Sequence, residues 1–149
     1  MKIELREIDE NNRAECLALR VSPAQEAYIA GNARSLEQAE EAPEIARPFA
    51  IYAGGKLVGF AMFAFDEGDG EGENYWLWRF MVDASQQGNG YGSAALEEII
   101  RYFKENGADK ITLSTKPDNV RALGLYHQFG FRENGRRNGE ELVLYLPLI

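Results

Sequence analysis

The segment Gln87-Gly88-Asn89-Gly90-Tyr91-Gly92 separates a stretch rich in strand-forming residues from a stretch with helical periodicity. Its glycines allow the backbone to approach a ligand closely and to turn its amide N–H groups inward. The helix that follows adds the positive end of its dipole, so the segment suits a pyrophosphate. It lacks the Lys-Ser/Thr pair of a Walker loop, and its glycine spacing departs from the dinucleotide-binding fingerprint. For this segment taken alone, a plain tight turn is the alternative.

The stretches on either side predict two strands and two helices. Tyr75 to Val82 is rich in aromatic residues, which favours a central strand. Apolar residues recur at helical spacing from Gly90 to Asn106 and again from Asn119 to Phe129. Between these helices, Lys110 to Thr115 alternates as a strand does. This half of the chain therefore predicts a strand, a glycine-rich loop, a helix, a strand and a helix, in that order.

The rest of the chain predicts further strands and an acidic helical region. Lys2 to Ile8 is predicted as a strand, and short helices follow, one of which begins at the capping-box spacing of Ser35-Leu36-Glu37-Gln38. Two hairpins are predicted, one turning at Gly54-Gly55 and one around Arg137-Asn138-Gly139. We therefore predict one α/β (α+β) domain that spans residues 1–149.

A second pattern lies in the helix predicted from Asn119 to Phe129. Asn119, Ala122 and Tyr126 fall on one helical face, and Gly130-Phe131 closes the helix. Together, the two patterns resemble the motifs of the GNAT superfamily of acetyl-CoA-dependent N-acetyltransferases. The first motif of that superfamily, Q/R-x-x-G-x-G/A, is matched by the first, fourth and last residues of the glycine-rich segment. The similarity extends over the whole chain in the order and length of its predicted elements.

The resemblance implies the GNAT fold, a mixed central sheet of six to seven strands with about four helices, whose strands splay apart at the acetyl-CoA site. It also implies acetyl-CoA as the co-substrate and no metal. Coenzyme contacts are expected from the glycine-rich segment, from the strand before it and from the second motif. The residues at these positions are Met81, Val82, Gln87, Gly88, Asn89, Gly90, Tyr91, Gly92, Ser93, Asn119, Ala122 and Tyr126.

Within the superfamily, the chain is most similar to bacterial spermidine/spermine (diamine) acetyltransferases, through segments that include Gln25 to Ile29 and Asn138-Gly139-Glu140. This resemblance implies direct transfer of the acetyl group to a primary amine, without an acyl-enzyme. It assigns Tyr126 as the acid that protonates the leaving thiolate, and a backbone N–H near Met81 or Val82 as the donor to the oxyanion. A core position is the alternative for this tyrosine, because a tyrosine on an apolar helix face is often buried.

The proton acceptor is where the chain departs from these relatives. An amine that attacks a thioester must lose a proton, which a general base takes up directly or through water. Diamine acetyltransferases tend to carry a carboxylate in the central strand at the position of Trp78, and an indole cannot accept a proton. Glu73, acting through water, is the candidate catalytic base. Glu26 from the helical region and unaided solvent are the alternatives.

The acceptor is expected to contact Glu26, Trp76 and Trp78. The two tryptophans lie on one strand face, where they can pack a methylene chain or stack on a cation. A core role is the alternative for both. Arg79 beside them would repel a polycation unless it pairs with a carboxylate or points away.

Charge is unevenly distributed along the chain. Residues 1–74 carry 15 acidic and 7 basic side chains, whereas residues 75–149 carry nine of each, so the whole net charge of −8 lies in the first half. This distribution disfavours nucleic acid as a partner and favours a small cation. Solvated glutamates on helix surfaces are the alternative explanation.

Other classes of site and location are disfavoured. The acidic loop from Asp66 to Glu73 lacks the bidentate Glu that closes a calcium-binding loop, so no metal is expected. Cys16 is the only cysteine, which excludes an intrachain disulfide and is typical of a reducing compartment. No apolar run reaches the ~20 residues that span a bilayer, and the first residues lack the apolar stretch of a signal peptide. We therefore expect a cytoplasmic protein with no membrane partner.

The sequence as a whole predicts an acetyl-CoA-dependent N-acetyltransferase for a small polycation, with spermidine or spermine as the leading acceptor. The nearest alternatives are another amine, namely an aminoglycoside, an amino acid, or a protein lysine or N-terminus. A non-catalytic acetyl-CoA-binding sensor and a structural partner protein are two further alternatives. By resemblance to related proteins, the chain is expected to form a homodimer.

Overall fold

The computed structural model describes residues 2–26, 28, 31–66 and 73–148, which form both strands and helices. The strands are β1 (Ile3–Glu7), β2 (Ala46–Ala53), β3 (Lys56–Phe65), β4 (Tyr75–Val82), β5 (Lys110–Thr115), β6 (Arg132–Asn138) and β7 (Glu141–Pro147). The α-helices are α1 (Arg13–Ala18), α2 (Asn32–Glu41), α3 (Tyr91–Glu105) and α4 (Val120–Gln128). Short 3-10 turns occupy Pro23–Gln25 and Ala84–Gln86.

The seven strands found in the described residues form one mixed sheet in the order β1-β2-β3-β4-β5-β7-β6. Neighbouring strands are antiparallel except β4 and β5, which run parallel. A parallel pair needs a crossover connection, and α3 supplies it between β4 and β5. The mixed sheet and its four helices confirm the α/β class that the sequence predicts.

Most predicted elements are found with bounds close to those predicted. β4 and β5 begin and end at the predicted residues, and the first hairpin turns at the predicted glycine pair. Gly54 and Gly55 have φ of +56° and +85°, in the left-handed region where glycine carries no steric penalty. The last hairpin turns one residue later than predicted, because Asn138 pairs with Glu141 and the turn contains Gly139 and Glu140.

The predicted start of α2 is wrong. The helix has Gly31 as its N-cap, so Ser35 lies inside it, where the Ser35 Oγ donates to the carbonyl oxygen of Gly31 at 3.3 Å. Tertiary contacts explain the earlier start: the buried side-chain nitrogen of Asn32 donates to the carbonyl oxygen of Cys16 at 2.7 Å. This bond fixes the first turn of α2 against the end of α1.

Apolar side chains form a cluster on each face of the sheet. α3 and α4 cover one face, where Phe103 of α3 is fully buried against Phe63 of β3. α1 and α2 lie on the other face, where Leu36 of α2 packs in one cluster with Phe60 of β3. Successive side chains of a strand point to opposite faces, and fully burying each such side chain contributes roughly 1.5–3 kcal/mol. The central strands are therefore apolar on both sides.

β4 and β5 diverge soon after they meet. Trp76 and Thr112 are the one registered pair between these two strands, both of which lie within the described ranges, whereas β3 and β4 pair along their length. Residues 77–82 of β4 and 113–115 of β5 instead line an opening in the sheet. The strands thus splay apart at the end of β4 that leads into the glycine-rich segment, as predicted.

A β-bulge in β4 determines which of its side chains reach each face. Leu77 and Arg79 pair with successive residues of β3, so Trp78 is an extra residue in β4. Leu77 and Phe80 consequently pack in the same apolar cluster beneath α3, although regular alternation would place residues three apart on opposite faces. Trp78 packs instead on the side of α1 and α2.

Candidate active site

The opening between β4 and β5 leads into a cleft of about 1010 Å³. Its walls come from β4, the loop after β4, the first turn of α3, the end of β5, α4 and the start of β7. A cleft of this volume lies at the upper end of the range for small-molecule sites. The splayed strands therefore create a site large enough for a coenzyme together with a second substrate.

The glycine-rich segment forms one end of this cleft. Gly88 and Gly90 have φ of +84° and +79°, and Gly90 is the N-cap of α3. The first N–H groups of a helix have no partner within the helix, and with the helix dipole they attract anions. Asn89 does not line the cleft, because its side-chain nitrogen donates to the carbonyl oxygen of Gln86 at 3.0 Å. Every other predicted residue of this segment lines it, namely Gln87, Gly88, Gly90, Tyr91, Gly92 and Ser93.

Asp83 fixes the turn from β4 into the glycine-rich segment. Its carboxylate accepts hydrogen bonds from the backbone N–H groups of Arg20, at 2.8 Å, and Ser85, at 3.2 Å, and from the Ser85 hydroxyl. Burial alone would raise the pKa of Asp83, but these hydrogen bonds and the charge of Arg20 hold that pKa below its usual value. Asp83 therefore remains ionised at neutral pH and ties the loop to the residues after α1.

The backbone of β4 offers a hydrogen-bond donor to the cleft at Val82. The N–H of Asp83 donates to the carbonyl oxygen of Val58 in β3 at 2.8 Å, so the N–H before it, that of Val82, faces away from β3. The carbonyl oxygen of Val82 likewise accepts from the side chain of Gln87, on the cleft side. Of the two predicted residues Met81 and Val82, both of which line the cleft, the geometry thus favours the N–H of Val82 as the donor.

Gln87 joins three segments of the cleft wall. Its side-chain nitrogen donates to the carbonyl oxygen of Val82 at 2.9 Å and to Gln25 Oε1 at 2.8 Å. Its side-chain oxygen accepts from Arg121 of α4 at 3.2 Å. The glycine-rich segment is therefore connected to β4, to α4 and to the turn after α1. The sequence pattern identified Gln87 but did not identify Gln25 or Arg121, which also line the cleft.

The second predicted motif lies across the cleft from β4. Asn119, Ala122 and Tyr126 all line the cleft, as their shared helical face predicts. The side-chain nitrogen of Asn119 donates to Thr115 Oγ1 at 3.1 Å, and the backbone carbonyl oxygen of Asn119 accepts from the N–H of Leu123. Asn119 therefore connects the end of β5 to the first turn of α4, and its side chain does not cap that turn.

Tyr126 is half-buried in the wall of the cleft. The ring packs against Phe131 with their centroids 5.5 Å apart. Burial raises the pKa of Tyr126 above its usual value, so the hydroxyl stays protonated at neutral pH. Within the described residues, this hydroxyl makes no hydrogen bond. A protonated, unengaged hydroxyl at the cleft is suited to donate a proton.

Two tryptophans line the cleft from β4. The indole nitrogen of Trp76 donates to the carbonyl oxygen of Glu73 at 3.0 Å, which fixes the ring beside the paired residue Thr112. Trp78 lines the cleft and also packs against the apolar cluster under α1 and α2. Each tryptophan is half-buried, so each combines packing with a surface that a ligand can contact.

The structure does not bring Glu73 or Glu26 into the cleft. The carboxylate of Glu73 binds Lys110 at 3.3 Å and Arg136 at 3.1 Å, and its side chain is only 12% exposed. Glu26 is exposed and does not line the cleft, although its neighbour Gln25 does. Neither carboxylate is therefore placed to accept a proton directly from a ligand in the cleft.

One carboxylate does line the cleft among the described residues, and the sequence patterns did not single it out. Glu141, the first residue of β7, accepts a hydrogen bond from the Ser114 hydroxyl at 2.6 Å. Arg79 of β4 also lines the cleft and donates to Gln38 Oε1 at 2.6 Å and to the carbonyl oxygen of Trp78 at 2.8 Å. Burial lowers the pKa of Arg79, and the charge of Glu141 opposes that shift. The sequence signal for Glu141 is its place just before Leu142, Leu144 and Leu146. Leucines at alternate positions predict a strand with one apolar face, and Glu141 then falls on the opposite face.

Two further predictions from the sequence concern metal binding and membrane spans. No group of three His, Cys, Asp or Glu side chains able to hold a metal ion occurs in the part of the chain that the structure describes. Residues 67–72 of the predicted acidic loop, and residues 27, 29 and 30, lie outside that part. None of the described helices has the length and apolar character needed to cross a bilayer.

Comparison with known proteins identifies the family. The model of the acetyltransferase (GNAT) family matches residues 13–131. The spermine/spermidine N(1)-acetyltransferase of Bacillus subtilis strain 168 is 37% identical over 150 aligned positions, which cover 97% of this chain and 98% of that protein. The alanine N-acetyltransferase of ribosomal protein bS18 from Escherichia coli K12 is 30% identical, over 67% of this chain and 70% of that protein.

Solved structures agree with the family at the level of the fold. A spermidine N-acetyltransferase from Vibrio cholerae, solved in complex with CoA and spermine, superposes with a TM-score of 0.73 at 18% identity, over 97% of this chain and 95% of that one. The chain belongs to the acetyltransferase (GNAT) family and has the GNAT fold. It is an N-acetyltransferase. The glycine-rich segment, the splayed strands and the helix with Tyr126 line one cleft.

Proposed function

We propose that this enzyme transfers an acetyl group directly from acetyl-CoA to a primary amine of spermidine or spermine. The observation that carries the proposal is one continuous cleft, which extends from the glycine-rich segment past Tyr126 to a side lined by two tryptophans and a carboxylate. The identity of 37% to the spermine/spermidine N(1)-acetyltransferase of Bacillus subtilis, over almost the whole chain, supports the choice of acceptor.

Coenzyme binds along the wall formed by the glycine-rich segment and β4. Its pyrophosphate lies at the first turn of α3, where Gly88 and Gly90 leave room for the phosphates and the free N–H groups attract them. Its acetyl carbonyl lies at the N–H of Val82, which faces the cleft. That N–H stabilises the negative charge that develops on the carbonyl oxygen during attack.

The acceptor amine is protonated in solution at pH 7, and the site must remove a proton from it before it can attack. With a pKa near that of lysine, ~10.4, only about 0.04% of the amine is free base at pH 7, a deficit of roughly 4.6 kcal/mol. After deprotonation, the amine attacks the thioester carbon and the carbon–sulfur bond breaks. Tyr126, which is protonated at neutral pH, gives its proton to the leaving thiolate.

Transfer is direct because the cleft offers no thiol to carry the acetyl group. Cys16, a residue of α1, is 0% exposed, packs in the apolar cluster that α1 and α2 form with the sheet, and does not line the cleft. Burial raises the pKa of Cys16 to about 11, with a further contribution from Glu15, so its thiol is neutral at pH 7. Both observations argue against an acetyl-cysteine intermediate.

A polyamine is the acceptor best suited to the charge and shape of the other wall. The first half of the chain carries the whole net charge of −8, which attracts a polycation. Trp76 and Trp78 supply aromatic surface for its methylene chain and for cation–π contact. Glu141 on β7, the one carboxylate that lines the cleft among the described residues, supplies an anionic partner for one ammonium group.

Arg79 favours a second candidate, the N-terminus of a protein. Its guanidinium is a half-buried cation in the cleft wall, which disfavours a polycation beside it but suits the carbonyl groups that follow a peptide amine. The 30% identical relative from Escherichia coli is named for acetylating alanine of a ribosomal protein. A peptide that begins with alanine therefore belongs in the acceptor panel.

The experiment that tests the proposal is thiol release from acetyl-CoA with a panel of acceptors. The panel contains spermidine, spermine, putrescine, aminoglycosides, amino acids and the peptide, and the chain with Gly90→Glu serves as the control for background hydrolysis. We expect turnover with spermidine and spermine. Turnover confined to another amine refutes the acceptor assignment. Absence of turnover, together with thermal stabilisation by acetyl-CoA, indicates a sensor instead of an enzyme for these amines.

We also propose that the enzyme works in the cytoplasm as a homodimer. The free, buried thiol of Cys16 supports a reducing compartment. Sedimentation of the purified chain tests the dimer, because a single species of 16.7 kDa would refute it.

A further inference from the structure

Glu141 stands at the point where β7 enters the cleft. It is the first residue of β7 and pairs with Asn138 across the last turn, and both residues line the cleft. Side chains of Leu142 and Leu144 pack in the cluster beneath α3 and α4. Because side chains alternate along a strand, Glu141 lies on the opposite face. That face is the one on which Ser114 and Trp78 lie.

A hydrogen bond fixes the side chain of Glu141, which forms no ion pair with the described residues. The hydroxyl of Ser114 donates to its Oε1 at 2.6 Å, and the hydrogen bonds of the described residues leave Oε2 without a partner. No basic side chain in the described ranges lies within ion-pair distance of it. Glu73, in contrast, forms ion pairs with two cations and does not line the cleft. A carboxylate with one oxygen fixed and one free is suited to receive a cation from outside.

Arg79, a cation of the cleft wall whose charge interacts with that of Glu141, supports this assignment. Arg79 already donates to Gln38 and to the carbonyl oxygen of Trp78, and its charge interacts with that of Glu141 without forming an ion pair. Glu141 therefore offsets a positive charge that would otherwise repel an ammonium group from this wall. Because the hydrogen bonds of Arg79 go to Gln38 and Trp78, the carboxylate of Glu141 remains available for a second cation.

We propose that Glu141 binds the ammonium group of the acceptor and accepts its proton, and that Ser114 positions the carboxylate. This inference rests on the proposed function, since it names the group that prepares the amine in the same cleft. It places the base on β7, whereas the sequence predicted it near the start of β4. The base thus reaches the amine from the strand next to β5, across the opening from Trp78.

The protons balance as follows. The ammonium gives one proton to Glu141, and the freed lone pair of the nitrogen forms the carbon–nitrogen bond to the acetyl carbon. The carbon–sulfur bond breaks, and the thiolate takes a proton from Tyr126. The new amide nitrogen releases its second proton, which restores Tyr126, and Glu141 returns its own proton to water. Each turnover therefore yields the acetylated amine, the free thiol of coenzyme A and one proton.

The test compares Glu141→Gln with Glu140→Gln. The two variants remove the same charge from adjacent residues, but Glu140 is exposed in the turn and does not line the cleft. Calorimetry measures spermidine binding to each chain saturated with coenzyme A, where no reaction can occur. Thiol release then measures kcat/KM, and thermal unfolding with acetyl-CoA verifies that each variant is folded and binds coenzyme.

We expect Glu141→Gln to bind spermidine roughly 30-fold more weakly and to lose about 100-fold in kcat/KM, with coenzyme binding unchanged. Glu140→Gln should match the unmodified chain in every measurement. If both variants bind and turn over spermidine like the unmodified chain, the assignment of Glu141 is refuted. If the unmodified chain acetylates a different amine, the polyamine proposal fails on its own, and the same two variants decide the role of Glu141 with that amine. If the unmodified chain binds and acetylates none, both proposals are refuted.

Discussion

Gly59 holds β3 unusually close to the part of β4 that lines the cleft. It pairs with Val82, and a Cβ atom added to it would lie 2.4 Å from the carbonyl oxygen of Met81. The same atom would lie 3.4 Å from the carbonyl carbon of Met81 and from the Cα of Val82. Gly59→Ala therefore presses a methyl group against backbone directly beneath the donor proposed for the acetyl carbonyl.

The cost of this substitution follows from the contact. Carbon atoms pack at roughly 3.5–4.0 Å, so the strands must separate by about 1 Å, and the carbonyl group cannot rotate away because it belongs to the β3–β4 ladder. Overpacking of this kind costs about 1–3 kcal/mol. For a chain of this length, ~2 kcal/mol lowers Tm by roughly 4–8 °C. Movement of Val82 should also weaken acetyl-CoA binding.

Thermal unfolding with and without acetyl-CoA measures both effects. Gly124→Ala is the matched control, because Gly124 lies exposed in α4 with no atom within 4 Å of the added methyl group. Alanine is favoured over glycine in a helix by about 0.5–1 kcal/mol, so the control should be more stable than the unmodified chain. A Tm and a coenzyme affinity that do not change in Gly59→Ala would refute the close approach of the two strands.

Three further substitutions test other parts of the structure. Tyr126→Phe should lower kcat much more than it weakens acetyl-CoA binding, because it removes the proton donor and keeps the ring; an unchanged kcat excludes the acid role. Gly90→Glu should abolish coenzyme binding, since it places a carboxylate where phosphate is expected; Gly107→Glu, at a similar φ of +85° beyond the far end of α3, is the control and should bind normally. Cys16→Ala should make the free energy of unfolding fall less steeply with pH above about 9 than it does in the unmodified chain. Burial raises the pKa of this thiol from its usual value of 9.0 to about 11, so the thiol ionises first in the unfolded chain and the free energy of unfolding falls as pH rises from about 9. Urea unfolding at pH 8 and pH 10.5 measures that difference, and parallel losses in both chains would contradict it.

Local sequence patterns predicted the elements that depend on local physics. The bounds of β4 and β5 follow from strand-forming composition, and Gly54-Gly55 places the first hairpin because few other residues adopt its backbone angles. The glycine-rich segment and the helical face of Tyr126 were found in the same way. These features need only a few neighbouring residues to be specified.

Features that depend on distant pairs could not be predicted. The start of α2 is set by the bond from Asn32 to Cys16, which outweighs the capping-box spacing at Ser35. Glu73 was assigned as the base because it precedes β4, yet Lys110 and Arg136, from two other strands, occupy its carboxylate. No local pattern records such contacts between distant segments.

Glu141 and the bulge at Trp78 depend on register, which composition does not specify. Pairing of β5 with β7 brings Ser114 to Glu141, and a shift of one residue would turn that carboxylate to the other face. The extra residue in β4 likewise alters the side that each later side chain faces. Local patterns therefore sufficed to predict that the glycine-rich segment, the helix with Tyr126 and both tryptophans line the cleft, whereas Glu141 could not be predicted from them.

The divergence of β4 from β5 leaves an unpaired strand edge inside the molecule. Exposed edges of this kind template the addition of another chain, which makes them a source of aggregation. Here residues of α3, α4 and the last hairpin line the cleft beside the edge. Under the proposed function, the pantetheine arm of coenzyme A, a slender chain with amide groups of its own, reaches this edge. Under the proposed function, the gap that leaves this edge of β4 unpaired is therefore also the feature of the sheet that admits the co-substrate.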